Sequence, residues 1–178
     1  MFERLLPDQI VDSIYDIDLH ALKKRNIQGI ITDLDNTLVS AKTALATPEL
    51  TDWLDKVRHA GFRVVIVSNN NESRVSRFAE PLHIPFVHAA RKPARKAFRN
   101  ALLRLGLAPG QVVVVGDQLM TDILGGRRMG MHTILVSAVA PSEEGLPTRI
   151  NRLIEKIVRA RLRRTGRWPF DDQGRKAP

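Results

Sequence analysis

Ile31-Thr32-Asp33-Leu34-Asp35-Asn36-Thr37-Leu38 begins as an apolar, β-branched run and carries two carboxylates placed two residues apart. In an extended chain, alternation points Asp33 and Asp35 to the same side, at the end of a strand. Two like charges held that close repel each other unless a proton or a metal cation lies between them. The pair is costly as bare structure. It makes sense as a set of hard oxygen donors for a magnesium ion beside a phosphate.

Outward from this stretch, short apolar runs alternate with longer helical patterns. The runs are Gly29 to Thr32, Arg63 to Val67, Val112 to Val115 and Thr133 to Val136, with a weaker one at Pro85 to His88. Thr47-Pro48-Glu49-Leu50 reads as a helix N-cap, a proline at the first helical position and an acidic first turn. Asn71 to Glu80 and Lys92 to Leu105 supply two more helical stretches, and Gly61, Gly106 and Gly130 sit where helices would end. Near the N-terminus, Ile10, Val11, Ile14, Tyr15 and Ile17 recur at roughly helical spacing after Pro7-Asp8, which predicts a helix there. Strands apolar on both faces that alternate with helices predict an α/β fold, a doubly wound, Rossmann-like parallel sheet with helices on both faces. Ligands of such sheets bind beyond the carboxyl ends of the strands. Asp33 and Asp35 follow the first run, Ser68-Asn69-Asn70 the second and Gly116-Asp117 the third, so one rim collects them all.

The chain's 178 residues, 43% hydrophobic and 26% charged, suit one globular domain with a sizeable core. That domain is expected over residues 1–164, with its catalytic core at about 28–137; residues 165–178, rich in Gly, Pro and charge, are expected to be a poorly ordered end. The lack of cysteine excludes disulfides, thiolate zinc sites and a cysteine nucleophile, and fits a reducing compartment. The apolar runs are far too short to span a membrane, and the N-terminus does not read as a signal peptide. A cytoplasmic location is therefore expected, either free or peripheral at the inner face of a membrane. The net charge of +9 is uneven: Arg149 to Arg164 holds seven Lys/Arg and one Glu, so an anionic partner should be sought there.

Cleaving a phosphate ester needs a nucleophile, a metal, an acid for the leaving oxygen and donors for the phosphoryl oxygens. Asp33 can be the nucleophile, forming an aspartyl-phosphate. Asp35 can protonate the leaving alkoxide and later deprotonate the attacking water. Mg2+ can be held by Asp33, the backbone carbonyl of Asp35 and Asp117. Ser68 offers a hydroxyl, with Asn69 beside it, and Lys92 a point charge for the phosphoryl group. Asp122 can orient Lys92 or hold a metal-bound water. Taken singly, these signals have plain readings: a solvated strand-end pair, or a turn serine at Ser68. Arg95, Lys96 and Arg99 read as a solvated helix face, and His83, His88 and His132 lack the paired spacing of a zinc site. Gly125-Gly126 reads as a close-packing point inside a helix, with Arg127-Arg128 solvated or beside the substrate.

Taken together, Asp33-Leu34-Asp35-Asn36-Thr37-Leu38, Val67-Ser68-Asn69, Lys92-Pro93 and Gly116-Asp117-Gln118-Leu119-Met120-Thr121-Asp122 resemble motifs one to four of the haloacid-dehalogenase (HAD) phosphohydrolase superfamily, in the same order. Leu5-Leu6-Pro7-Asp8, Tyr15-Asp16-Ile17-Asp18-Leu19, Gly116-Asp117-Gln118 and Leu124-Gly125-Gly126 resemble the YqeG branch, subfamily IIIA. That branch is similar to the mitochondrial phosphatidylglycerophosphate phosphatases of eukaryotes. The resemblance implies a HAD-like fold, magnesium-dependent phosphatase activity with the residue roles given above, and phosphatidylglycerophosphate or a similar anionic phosphate as substrate.

Many enzymes of that superfamily close a cap domain over small substrates. Here 32 residues, Asn36 to Val67, separate Asp35 from Ser68, and 23, Asn69 to Arg91, lie between Ser68 and Lys92. The predicted helices and strands use up both intervals, so no large cap domain is expected and the site should be open. Along Arg149 to Arg164, Ile150, Leu153, Ile154, Ile157, Val158 and Leu162 fall on one helical face among arginines. This predicts a basic amphipathic helix that packs on the sheet, rests its cationic flank on anionic phospholipid, or does both. RNA is a third partner for such charge, with only Trp168 and Phe170 as stacking platforms in the tail. Two rival functions remain in view, a phosphatase of soluble nucleotide or sugar phosphates and a non-catalytic basic adaptor for membrane or RNA.

Overall fold

Residues 2–143 and 146–171 are described by a computed structural model of the chain. Six strands, Gln9–Val11 (β1), Gly29–Thr32 (β2), Arg63–Val67 (β3), Phe86–Val87 (β4), Val112–Gly116 (β5) and His132–Val136 (β6), form one sheet in the order β1-β6-β5-β2-β3-β4. All pairings are parallel. Ile30 of β2 lies opposite Val64 on one side and Val113 on the other, and all four β2 residues are buried. Strands so enclosed need apolar side chains on both faces, as their Val/Ile content supplies.

The helices are Leu19–Lys24 (α1), Pro48–His59 (α2), Glu72–Ala79 (α3), Arg95–Leu105 (α4), Leu124–Arg128 (α5) and Leu146–Arg164 (α6). α1 to α3 cover one face, setting Leu22, Leu54, Val57 and Phe78 over Ile30, Ile66 and Val113. α4 covers the other with Phe98, Ala101 and Leu105 over Ile31, Val65 and Val114. The fold is the expected doubly wound α/β sheet. α2 starts where its cap predicts, with the Leu50 amide donating to Thr47 Oγ1 at 3.2 Å. Gly125-Gly126 does mark close packing: a Cβ on Gly125 would lie 2.2 Å from Phe98 Cε2, and one on Gly126 2.8 Å from Thr133 Cγ2.

Five expectations change. The N-terminal helix is absent at Ile10-Val11. These residues form β1, in register with Leu135 and Val136, and only a 3-10 turn at Ile14–Asp16 follows. The free edge of β6 is the stronger partner, and Asp8 fastens the join: its amide donates to the Thr133 carbonyl at 3.0 Å and its carboxylate accepts from the Thr133 amide at 2.9 Å. Asp8 also takes Arg127 at 2.9 Å, so that arginine is ion-paired and distant in role from the rim. α4 begins at Arg95 and leaves Lys92 in the preceding loop, since the residue before proline disfavours helix.

The α6 apolar set is split. Val158 and Leu162 are buried, whereas Ile150, Leu153, Ile154 and Ile157 are exposed. The helix is turned so that Asn151, Arg152 and Glu155, not the isoleucines, meet the body. The poorly ordered end also starts later than residue 165, because Trp168 and Phe170 fold back and are buried with Val158, Leu162 and Leu135. The rest of that expectation, residues 172–178, lies outside the described residues.

Candidate active site

β2 and β5 are neighbours in the sheet, yet the chain leaves β2 toward β3, on the opposite side. The crevice between diverging connections is where ligands of such sheets bind. The Asp33 amide extends the ladder past β2 by donating to the Val115 carbonyl at 3.0 Å, which sets Asp33 at that crevice. Asn36, at φ 65°, turns the chain away. Asparagine tolerates this left-handed backbone better than most residues.

Lys92 Nζ lies 2.7 Å from Asp33 Oδ1 and 2.7 Å from Asp122 Oδ1, with all three side chains buried. The Lys92 backbone is positioned by Asn69, whose Oδ1 accepts the Lys92 amide at 2.7 Å. Asn69 thus holds the lysine loop while also lining the cleft. Asp122 sits on a π turn, Leu119–Ile123, directly after β5. Its Oδ2 accepts from the Gln118 amide at 3.3 Å and from Thr121 Oγ1 at 3.1 Å. Gly116 permits this approach, since a Cβ there would lie 2.3 Å from Asp122 Cγ. Asp117 accepts Thr37 Oγ1 at 3.1 Å, and the Arg152 guanidinium of α6 donates to both its carbonyl and its carboxylate. Asp33, Asp117 and Asp122 each bring one carboxylate oxygen within 4.8 Å of the others.

Asp35 lies elsewhere on the same rim. Its Oδ1 accepts from Arg74 Nε at 3.1 Å and Nη2 at 2.9 Å, and its Oδ2 accepts from Asn70 Nδ2 at 3.1 Å. The repulsion within D-L-D is therefore relieved by separate cations, Lys92 for Asp33 and Arg74 for Asp35. Asp33, Asp35, Ser68, Asn69 and Lys92 line one cleft of about 450 Å³, together with Thr148 and Asn151 of α6. Asp35 does not join the three-carboxylate cluster through its side chain.

Burial pushes the Asp33 carboxyl up to about 8; Lys92 opposes this, and Asp122 and Asp117 add to it. Asp117 is raised to about 6 by burial and by Asp122, against Arg152 and Lys92. For Lys92, burial works against the charge, but Asp122 and Asp33 outweigh it and raise its pKa. A group of buried carboxylates with elevated proton affinity lacks positive charge, and a divalent cation would supply it. The donors are all oxygens, the set that suits Mg2+. Asp33 and Asp117 fit that role, with Asp122 close enough to ligate directly or through water. Among the described residues no histidine joins this group. His88 lies 3.8 Å from Glu72 and His132 3.5 Å from Asp8.

Sequence reading missed Arg74, Arg152 and Glu155, and gave no role to Asn70 on the rim or to Thr37 in the first motif. Glu155 is buried on α6, and its Oε1 accepts the Met120 amide at 3.2 Å, which ties the helix to the π turn. One signal was available. Glu155 is the single acid in a strongly basic run, and Arg152 stands three residues before it, on the same helical face.

A HAD-hydrolase-like family model matches residues 89–152. The chain is 50% identical over 167 residues to the probable phosphatase YqeG of Bacillus subtilis (strain 168), covering 94% of this chain and 96% of that one. It is 27% identical to the chloroplastic/mitochondrial phosphatidylglycerophosphate phosphatase 1 of Arabidopsis thaliana, over 94% of this chain but 51% of the plant protein, about half its length. A solved structure, the cobalt-bound deoxy-D-mannose-octulosonate 8-phosphate phosphatase of Haemophilus influenzae, aligns with a TM-score of 0.50 at 20% identity. That alignment covers 67% of this chain and 74% of the other, and is a likeness of fold.

Proposed function

The chain belongs to the YqeG family of HAD-like phosphatases, and from that premise we propose a magnesium-dependent phosphomonoesterase that works through an aspartyl-phosphate on Asp33. The observation that carries this reading is the buried Asp33–Lys92–Asp122 chain beside Asp117, opening on one cleft. Asp33 attacks phosphorus and the bond to the leaving alkoxide breaks. Asp35, oriented by Arg74 and Asn70 on the same cleft, gives that alkoxide its proton. Asp35 then takes a proton from water, which attacks phosphorus, frees Asp33 and releases inorganic phosphate. Lys92 and Ser68 face the phosphoryl oxygens, and Asp122 fixes Lys92 in place. Mg2+ on Asp33, the Asp35 carbonyl and Asp117 would offset the charge of the phosphoryl group.

The substrate we infer is a lipid-borne anionic phosphate such as phosphatidylglycerophosphate. The plant relative's name supports it, and so does the open cleft. Among the described residues, Asn36 to Val67 is spent on a turn, α2 and β3, and Asn69 to Arg91 on α3 and β4, so no separate cap covers Asp33. Residues 1–164, with Trp168 and Phe170 packed onto them, act as one phosphatase unit, working from the cytoplasmic side of a membrane. No described helix is long and apolar enough to cross one.

Two assays test the proposal. Asp33→Asn should lose about four orders of magnitude or more in turnover while keeping its circular dichroism spectrum. Retained magnesium-dependent activity in that variant removes Asp33 as nucleophile. A panel should show higher kcat/KM for phosphatidylglycerophosphate in mixed micelles than for p-nitrophenyl, nucleotide and sugar phosphates. A preference for the soluble esters moves the substrate to that class, and no turnover with any ester leaves the basic adaptor.

A further inference from the structure

α6 presents two different faces. Inward, Glu155, Val158 and Leu162 are buried, Arg152 reaches Asp117, and Thr148 and Asn151 line the cleft. Outward, Ile150, Leu153, Ile154 and Ile157 are 53%, 60%, 41% and 61% exposed. Their spacing of i, i+3, i+4 and i+7 gathers them into one stripe. Single exposed aliphatics are ordinary, but four in a row on one helix form a patch that calls for a partner.

The surround of the stripe narrows that partner's chemistry. Arg149, Lys156, Arg161, Arg163 and Arg164 are all exposed around it. The only acid between Arg149 and Arg164 is Glu155, and it points inward. A surface that matches this face must be anionic at its boundary and apolar just beneath. A bilayer with acidic headgroups has that layering. RNA would pair with the cations but leave the isoleucines wet, and the tail's stacking candidates, Trp168 and Phe170, are buried.

We propose that the outer face of α6 docks in the plane of an anionic bilayer, with Ile150, Leu153, Ile154 and Ile157 entering the headgroup boundary and the flanking cations resting on lipid phosphates. Because the inner face of the same helix walls the cleft, docking holds the site within one helix diameter, roughly 10 Å, of the lipid surface. The inference rests on the lipid-phosphate reading for its purpose.

The test uses the whole chain and vesicles that carry no phosphomonoester, so docking and turnover fail separately. Co-sedimentation is measured with phosphatidylcholine vesicles containing phosphatidylserine and with pure phosphatidylcholine. The unsubstituted protein should partition onto the anionic vesicles and weakly onto the neutral ones. Leu153→Asn/Ile157→Asn should cut partitioning about tenfold or more, as expected for losing two inserted aliphatics. Lys156→Gln/Arg164→Gln should cut it about fivefold per residue on anionic vesicles. The aliphatic variant should keep its circular dichroism spectrum and its hydrolysis of p-nitrophenyl phosphate. Failure of the unsubstituted protein to bind anionic vesicles overturns the proposal. So does a Leu153→Asn/Ile157→Asn variant that binds as the unsubstituted protein does, which would make the attraction purely ionic. Light scattering that shows a dimer dispersed by the same variant, without vesicle binding, would assign the stripe to a second copy of the chain instead.

Discussion

Replacing Arg152 with methionine keeps an aliphatic stem but removes the guanidinium that holds the carbonyl and carboxylate of Asp117. The Asp117 side chain is 0% exposed and that of Arg152 is 21% exposed, so the variant leaves a buried carboxylate short of one cation. Breaking a buried pair costs about 3–5 kcal/mol. Water can reach the vacated space from the cleft, which brings the loss below that range, to about 2–3 kcal/mol. For a chain of 178 residues each kcal/mol lowers Tm by about 2–4 °C, so metal-free Arg152→Met should melt about 5–10 °C below the unsubstituted protein. Mg2+ bound at Asp117 would restore positive charge at the same carboxylate, so the deficit should shrink by about half or more at saturating metal. Arg149→Met, on the exposed side of the same helix, should stay within about 0.5 kcal/mol of the parent. Thermal unfolding followed by circular dichroism, with chelator and then with magnesium chloride, reads all of these. A metal-free Arg152→Met protein that melts with the parent, or a deficit that widens as magnesium is added, would refute the reasoning.

Asp35→Asn should lose steady-state turnover by about two orders of magnitude or more, yet still give a burst of p-nitrophenolate, because that leaving group needs little protonation; rapid-quench kinetics would detect its absence. Gly116→Ala should push Asp122 away from Lys92, costing about 1–3 kcal/mol in urea unfolding and most of the activity; a fully active, equally stable variant would contradict the close approach seen there. The metal-free protein should lose stability as pH rises. Asp33 at about 8 and Asp117 at about 6 both lie above their ordinary value of 3.8, so between roughly pH 4 and 8 the native state binds more protons than the unfolded one. This contribution is fully present below pH 4 and gone above about pH 8; a metal-free Tm that rises steadily from pH 5 to 8 would count against it.

The strands that carry the site were legible because each is short, branched and apolar, and because a capped helix separates β2 from β3. The rim followed from parallel-sheet geometry alone, which placed Asp33, Ser68 and Asp117 together before any side chain was located. β1 was not legible, since three residues give no period and its partner lies more than a hundred positions away. The amphipathic count on α6 identified a face but not its direction. An acidic rim rewards Arg152 and Glu155 for turning inward, at the cost of leaving isoleucines outside, and that trade depends on tertiary placement. The pairing of Asp35 with Arg74 was hidden for the same reason, whereas Trp168 and Phe170, aromatic residues in a charged tail, were a burial signal passed over.

The N-terminal segment has a practical meaning for anyone trimming the chain. The catalytic motifs begin near residue 28, and a version cut there would retain every acid of the rim. It would also strip β1 from β6, uncovering a row of unpaired amides and carbonyls on Thr133 to Val136, and it would remove Ile14, Ile17 and Leu22 from beneath α2. Open strand edges next to vacated apolar surface invite self-association. Such a fragment should precipitate or pair with itself while its chemistry stays nominally intact, so an inactive truncation would report a lost edge and not a missing catalytic group.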